Sequence, residues 1–187
     1  MKSIIFILLI SSLLFLGCMS GYVPVKQGNV EISGDFAIIR SDATMLAVKI
    51  DLWTGEPQFL PDYFTTINVR VQNRTRENIR IEPSHFAVLD EHGLQSDTVS
   101  LEMVLDVVLS HHSLIPDRFA IAVETQRENQ NRINNIRRNI MSRSFAFGEL
   151  LPGATKEGVL FFPKIDNKNQ EFVFIYNTNE ILFKKTK

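Results

Sequence analysis

Short runs rich in β-branched and aromatic residues recur through most of this chain, and their spacing restricts the fold more than any other feature. Turn-forming residues separate the runs at intervals of about ten residues, which is typical of an antiparallel β-sandwich. We predict at least seven strands from these runs, which cover residues 36–40, 45–53, 64–72, 79–81, 85–89, 158–162, 171–176 and 180–183. The sequence therefore predicts a mainly β chain.

The run over residues 64–72 gives the clearest evidence of a sheet with one buried face. Its apolar positions are Phe64, Ile67, Val69 and Val71, and from Ile67 onward polar residues alternate with them. Alternation with a period of two places the apolar side chains on one face of a strand. The run therefore predicts a strand with one buried face.

Helical periodicity interrupts the strands over residues 100–143, before the last three predicted strands. Apolar residues at spacings of three and four predict a first amphipathic helix, with Ser100 as its N-cap; they are Leu101, Val104, Leu105, Val108 and Leu109. Asp117 is positioned to cap a second helix that begins near Phe119. Residues 124–132 of that helix contain no apolar residue, and a stripe resumes at the end of it with Ile133, Ile136 and Ile140. The pattern leaves open whether this two-helix insertion packs on the sandwich or projects from it.

The N-terminus reads as an export signal that ends at the sole cysteine. Lys2 supplies a positive charge, residues 4–16 are apolar except for two serines, and Gly17 precedes Cys18. An uncleaved anchor is the first alternative, although the run is shorter than the ~20 apolar residues that cross a bilayer. An ordinary secretory signal followed by a free thiol is the second. With one cysteine the chain forms no internal disulfide, so packing must stabilise the fold.

The sequence Leu14-Phe15-Leu16-Gly17-Cys18 resembles the lipobox of bacterial lipoproteins. The resemblance implies that residues 1–17 are a cleaved signal peptide and that Cys18 is acylated, which anchors the chain to the membrane. Met19 after the cysteine implies the outer membrane, with the protein facing the periplasm. We expect a tether over residues 18–34 and a folded domain over residues 35–187.

Three segments resemble the telokin-like, immunoglobulin-like sandwich domains found in bacterial lipoproteins. They are Ile67 to Asn73, Phe86 to Asp90, and Leu151-Pro152-Gly153 followed by Gly158 to Phe162. The resemblance implies an immunoglobulin-like antiparallel β-sandwich around one core. It implies no agreed activity, because these motifs are structural.

The charge balance argues against nucleic acid as a partner. The chain has 20 basic and 21 acidic residues and a formal net charge of −1. The second predicted helix is nonetheless locally basic, through Arg127, Arg132, Arg137, Arg138 and Arg143. Two interpretations stay open: a contact surface for an acidic partner, or a solvated face in which Glu128 and Arg132 form an i, i+4 pair.

The sequence contains no recognisable catalytic, metal-binding or cofactor-binding motif. The four histidines, at positions 85, 92, 111 and 112, lack metal-ligand spacing, and no nucleophile elbow or phosphate loop is present. The carboxylates Asp97, Glu102 and Asp106 could form an acid pair, but solvation at a helix end explains them better. Asn73-Arg74-Thr75 matches a glycosylation sequon and is better explained as a turn. Trp53 is expected in the core or at the sheet rim.

Three hypotheses about function follow. The first is a non-enzymatic envelope lipoprotein whose domain binds another envelope protein, and an exposed stripe of Ile133, Ile136 and Ile140 would favour it. The second is a small-molecule or glycan binding module, which requires a pocket near Trp53 or the helices. The third is a hydrolase built on carboxylates that converge in a cleft.

Overall fold

The structure, a computed structural model, describes residues 21–113 and 123–186. Its strands, numbered along the chain, are β1 (Tyr22–Pro24), β2 (Glu31–Ser33), β3 (Phe36–Arg40), β4 (Thr44–Ile50), β5 (Phe64–Asn73), β6 (Ile79–Ile81), β7 (Phe86–Asp90), β8 (Gln95–Asp97), β9 (Gly148–Leu150), β10 (Thr155–Pro163), β11 (Glu171–Tyr176) and β12 (Asn179–Lys185). Its helices are α1 (Leu60–Tyr63), α2 (Leu101–Ser113) and α3 (Val123–Arg143), with a 3₁₀ turn over Pro83–His85.

Ten of these strands form two antiparallel five-stranded sheets. One sheet has the order β1-β12-β11-β7-β8 and the other has the order β10-β5-β4-β3-β2, while β6 and β9 pair separately. Side chains from both sheets meet in one core, which includes Val69 of β5, Phe162 of β10 and Phe174 of β11. The predicted fold class, a mainly β antiparallel sandwich with a two-helix insertion, is confirmed.

Strand β10 is buried on both faces, and this explains its uninterrupted apolar sequence. Leu160 and Phe162 point into the sandwich core, whereas Val159 and Phe161 belong to a second apolar cluster. A strand covered on both sides loses the alternation seen in one with a single buried face. The outer face of this sheet is therefore covered by another part of the chain.

The helical insertion provides that cover. Val104 and Val108 of α2 join Ile136 and Ile140 of α3 in the second cluster, which also contains Trp53, Leu60, Phe64, Val159 and Phe161. All four helical side chains are at most 1% exposed. The insertion thus packs on the sandwich, and the two predicted helical stripes are the faces that it buries.

The structure begins the folded body earlier than residue 35. Strand β1 pairs with β12, and β2 pairs with β3, so residues 22–24 and 31–33 of the predicted tether belong to the two sheets. Three residues are too few to display a period, and the partner of β1 lies at the far end of the sequence.

Other boundaries also differ from the sequence prediction. Four strands follow the insertion instead of three, because the short β9 precedes β10, and neither β8 nor α1 was predicted. The predicted cap Asp117, the helix start near Phe119, the leader and Cys18 lie outside the described residues. In residues 21–113 and 123–186, no helix is long and apolar enough to cross a membrane.

Candidate functional site

Arg143, the last residue of α3, joins the insertion to the loop that follows β4. Its guanidinium lies 4.0 Å from the centre of the Trp53 ring. It donates hydrogen bonds to both carboxylate oxygens of Asp51, at 3.2 and 3.1 Å, and to the carbonyl oxygen of Thr54 at 3.1 Å. The Asp51 side chain is 12% exposed and that of Arg143 is 28% exposed. This partly buried pair fixes the end of α3.

Two further polar contacts hold α3 to the same loop. The side-chain amide of Asn139 donates to the carbonyl oxygen of Glu56, and Arg132 lies 3.9 Å from the Glu56 carboxylate. The i, i+4 ion pair expected between Glu128 and Arg132 is not among the ion pairs of the described residues, since Arg132 is directed toward Glu56 instead. The five predicted arginines therefore do not form one uniform face.

The remaining three arginines lie on the side of α3 that points away from the sandwich. Arg127, Arg137 and Arg138 are exposed, and none of them forms an ion pair within the described residues. Met141, beside them, is 53% exposed, and a shallow surface depression is lined by Arg137, Arg138, Met141, Asn134 and Ser142. We call Arg127, Arg137, Arg138 and Met141 the basic face of α3.

A cavity of about 320 Å³ opens beside Trp53, at the point where the described chain begins. Trp53, Phe64 and Ile165 supply apolar walls, and Asp51 and Lys164 supply polar ones. The buried indole N–H of Trp53 lacks a hydrogen-bond partner among the described residues. The two charged side chains of the cavity already have partners within the chain: Asp51 is paired with Arg143, and the Lys164 ammonium donates to the carbonyl oxygen of Pro61 at 2.6 Å. A ligand would compete with these contacts.

Tyr22 also lines this cavity and is held as a neutral phenol. Burial raises its pKa above the ordinary value, and the nearby negative charges of Glu91 and Asp166 raise it further. The hydroxyl donates to the carbonyl oxygen of Asn169 at 2.8 Å. Tyr22 therefore ties the first strand to the loop before β11.

The candidate carboxylates are not gathered into a buried site. Asp97 lies in β8, where the side-chain amide of Gln95 donates to it at 3.0 Å, and Glu102 and Asp106 lie on α2. All three are exposed to solvent. A carboxyl group that acts as a general acid needs an apolar environment to raise its pKa, so this arrangement lacks what glycoside hydrolysis requires.

Two of the four histidines, His85 and His111, make contacts within the fold. His85 ends the 3₁₀ turn, and its Nδ1 accepts a hydrogen bond from the backbone N–H of Glu82 at 3.3 Å. His111 stacks on the ring of Phe59, with 4.0 Å between centroids. In the part of the chain that the structure describes, no group of three or more His, Cys, Asp or Glu residues could hold a metal ion.

Asn73 of the sequon is a structural residue. Its side-chain amide donates to the carbonyl oxygens of Glu77 and Leu150, at 2.7 and 2.9 Å, and its Oδ1 accepts from the backbone and hydroxyl of Thr75. The residue is fully buried. Because the buried Asn73 side chain hydrogen-bonds to the backbone of this turn, we interpret the Asn-Arg-Thr sequence as part of the turn.

The contact between Asp51 and Arg143 could not be found from the sequence. The two residues are 92 positions apart, and neither belongs to a motif. The sequence did indicate that residue 143 ends a basic helix and that Trp53 lies in the core or at the rim. Trp53 is 7% exposed and belongs to the second cluster, so that expectation is confirmed.

Comparisons with known proteins do not assign this chain to a family. No protein-family model matches the chain, and no curated protein matches it. A crystal structure of a functionally unknown protein from Listeria monocytogenes EGD-e is similar at 11% identity over 83% of this chain and 72% of the other, with a TM-score of 0.33.

Proposed function

We propose that this protein is a non-enzymatic cell-envelope lipoprotein whose β-sandwich domain acts as a protein-interaction module. In this proposal the lipid on Cys18 holds it at a membrane, which we take to be the outer membrane facing the periplasm. The partner is another envelope protein with an acidic surface, and it binds the basic face of α3. Neither a cofactor nor nucleic acid takes part.

The observation that carries the proposal is the division of the arginines of α3. Arg132 and Arg143 are directed toward the sandwich and hold the helix in place, whereas Arg127, Arg137 and Arg138 lack ion-pair partners within the described residues. A helix fixed in this way presents its outer charges in a constant arrangement. Arginine and methionine are both enriched in protein interfaces relative to the rest of a surface.

The buried stripe changes which part of α3 is available to a partner. Ile136 and Ile140 were expected to be exposed if the helix bound a partner through its apolar residues, but they are buried against the sandwich. The proposed contact is therefore electrostatic, with Met141 as its exposed apolar contribution. Contacts of this kind affect the association rate and weaken as salt is added.

Crosslinking in intact cells followed by mass spectrometry tests the proposal. Replacing Arg127, Arg137 and Arg138 by glutamine should reduce the crosslinked partner by about tenfold, since three exposed charge contacts worth about 0.5 kcal/mol each sum to about 1.5 kcal/mol. The matched control replaces Arg76 and Arg80, two exposed arginines of the sandwich, by glutamine and should keep the partner. Equal loss in both variants, or loss in neither, would exclude the basic face as the binding surface.

A second candidate function, binding of a small molecule or glycan, rests on the cavity beside Trp53. Trp53 is the sole tryptophan, so its fluorescence reports directly on this cavity. Titration with soluble N-acetylglucosamine oligosaccharides should give a saturable change if the candidate is correct. A signal that stays constant would eliminate glycans of this class. The hydrolase hypothesis receives no support, because its three carboxylates are exposed.

A further inference from the structure

The first described residue, Gly21, is held in place by hydrogen bonds to Thr186. Gly21 and Thr186 exchange hydrogen bonds: the Gly21 N–H donates to the Thr186 hydroxyl at 3.1 Å, and the Thr186 N–H and hydroxyl both donate to the Gly21 carbonyl oxygen at 2.8 Å. The next residue, Tyr22, pairs with Lys185. Gly21 therefore has a fixed position beside the end of β12.

Very little chain separates that position from the proposed lipid. Met19 and Ser20 are the two residues between Cys18 and Gly21. Three peptide units span at most about 11 Å between the Cα atoms of Cys18 and Gly21. The headgroup region of a bilayer is about 5–8 Å thick on each side. An acylated Cys18 would consequently keep this end of the sandwich close to the membrane surface.

The surface around Gly21 has the composition of an interfacial contact. Leu52 lines the same cavity as Gly21 and is 53% exposed. Lys164 lines it too, and Lys185 is close by, since its ammonium donates to the carbonyl oxygen of Asn167, another residue of the cavity. Exposed apolar residues flanked by lysines favour the boundary between headgroups and water.

The acidic groups at this end are only partly neutralised, and Glu91 and Asp166 remain as negative charges near Tyr22. Asp51 is neutralised by Arg143. The Oδ1 atom of Asp166 accepts the backbone N–H of Lys168 at 2.9 Å. A second exposed leucine, Leu94, lies just after the turn that begins at Asp90. Asp90 pairs with Phe172, which places this turn at the same end of the other sheet as Gly21. Each sheet therefore has an exposed leucine at the end where Gly21 lies.

We infer that this end of the sandwich rests on the bilayer in which Cys18 is anchored, with Leu52 at the level of the lipid headgroups. The inference rests on the proposed lipid anchor and adds an orientation to it. The occupant of this surface is the lipid itself, because the tether is too short for a folded protein to lie between. Phospholipid is accordingly the partner of this end, whereas the basic face of α3 remains the proposed protein contact.

A thiol-specific fluorophore can measure the orientation. The full chain carries no free thiol once Cys18 is acylated, so a cysteine introduced at position 52 is labelled alone. The lipidated L52C protein, placed in nanodiscs of phosphatidylethanolamine and phosphatidylglycerol, is exposed to lipids with a nitroxide on the headgroup. We expect the label at position 52 to lose most of its fluorescence.

Leu151→Cys is the matched control. Leu151 is 60% exposed and lies at the other end of β5, because the neighbouring Gly153 donates its N–H to Asn73. The ten residues of β5 separate the two ends by about 30 Å, so the label at position 151 should keep its fluorescence. Equal fluorescence at both positions, with mass spectrometry showing acylated Cys18, would overturn the orientation alone. An unacylated chain would overturn the anchor and the orientation together.

Discussion

Arg143 satisfies three different groups with one side chain. Its planar guanidinium covers the ring of Trp53 while its N–H groups bind Asp51 and the carbonyl oxygen of Thr54. A lysine ammonium lacks the forked geometry that makes the two-point contact with a carboxylate. Arg143 therefore fastens the insertion to the sandwich in a way that no other residue type reproduces.

We predict that Arg143→Ala lowers the free energy of unfolding by about 2–3 kcal/mol, because Asp51 is left as a largely buried, unpaired carboxylate. Arg143→Lys should recover part of this loss, since it restores the charge without the two-point contact. Urea denaturation measures both. The control Arg138→Ala, at an exposed position of the same helix, should stay within about 0.5 kcal/mol of the natural protein. Equal effects at positions 138 and 143 would contradict this account.

Asp90 gives the turn before β8 a dependence on pH. The backbone N–H groups of Leu94 and His92 donate to its carboxylate, at 2.8 and 2.9 Å, and lower its pKa below the ordinary value, with Leu94 making the largest contribution. A lowered folded-state pKa stabilises the fold at pH values above the unfolded-state pKa, and the stabilisation is lost as the pH falls through the folded-state pKa.

Asp90→Asn keeps an oxygen acceptor at this position and removes the titration. We expect the natural protein to be more stable than the variant at pH 7, and the difference should shrink as the pH falls below the ordinary aspartate pKa of about 3.9 and toward the lower folded-state pKa of Asp90. Denaturation curves at pH 3 to 7 for the two proteins measure it. A difference that stays constant over this range would show that the charge on Asp90 does not contribute.

At the scale of elements, β10 meets the chain that returns from α3. Ser144 forms a bridge with Val159, and the N–H of Phe145 donates to the carbonyl oxygen of Val159 at 3.0 Å. This crossing passes directly over Gly158, where an added Cβ would lie 2.5 Å from the Cα of Phe145. Only a residue without a side chain allows the backbones to approach this closely.

Gly158→Ala should therefore push the segment that follows α3 away from β10. We expect a loss of about 1–3 kcal/mol in the free energy of unfolding, because the clash is with backbone atoms that cannot rotate away. The control Glu157→Ala, at the exposed neighbouring position in the same strand, should have a much smaller effect. Thermal unfolding compares them, and equal shifts would refute the packing argument.

Periodic elements could be predicted from the sequence, whereas only β6 was predicted among the five three-residue strands. Ile67, Val69 and Val71 were expected on one buried face of β5, and all three are fully buried. The same holds for Val104 and Val108 of α2. Strands β1, β2, β8 and β9 have three residues each, so their position depends on distant partners and not on their own pattern.

At the scale of the whole molecule, the second cluster decides how the parts are arranged. The sequence predicted two amphipathic helices but not the surface that they cover. The apolar run of β10 is uninterrupted, so it does not show which residues lie on each face of the sheet. In the structure those residues are shared between two clusters, and the insertion closes the outer face of one sheet. The helices are thus part of the folded body, and their outer side becomes available for contacts.

The membrane association of the protein should depend on one atom, the sulfur of Cys18. Cys18→Ser removes the thioether, and the apolar run before it is too short to span a bilayer of ~30 Å. We expect the natural protein in the membrane fraction after a carbonate wash and the variant in the soluble fraction. An alkyne-labelled fatty acid fed to the cells should be incorporated by the natural protein alone.

The two readouts together distinguish the lipid anchor from the two alternatives for the N-terminal segment, an uncleaved anchor and an ordinary secretory signal. A variant that stays in the membrane while carrying no label would show that the uncleaved leader is the anchor. A natural protein that is soluble and unlabelled would show that Cys18 is a free thiol after an ordinary secretory signal. Serine differs from cysteine by one atom, and the contacts among the described residues do not involve position 18. Release of Cys18→Ser would therefore report on the anchor and not on unfolding, and unchanged thermal stability of the released protein would confirm that separation.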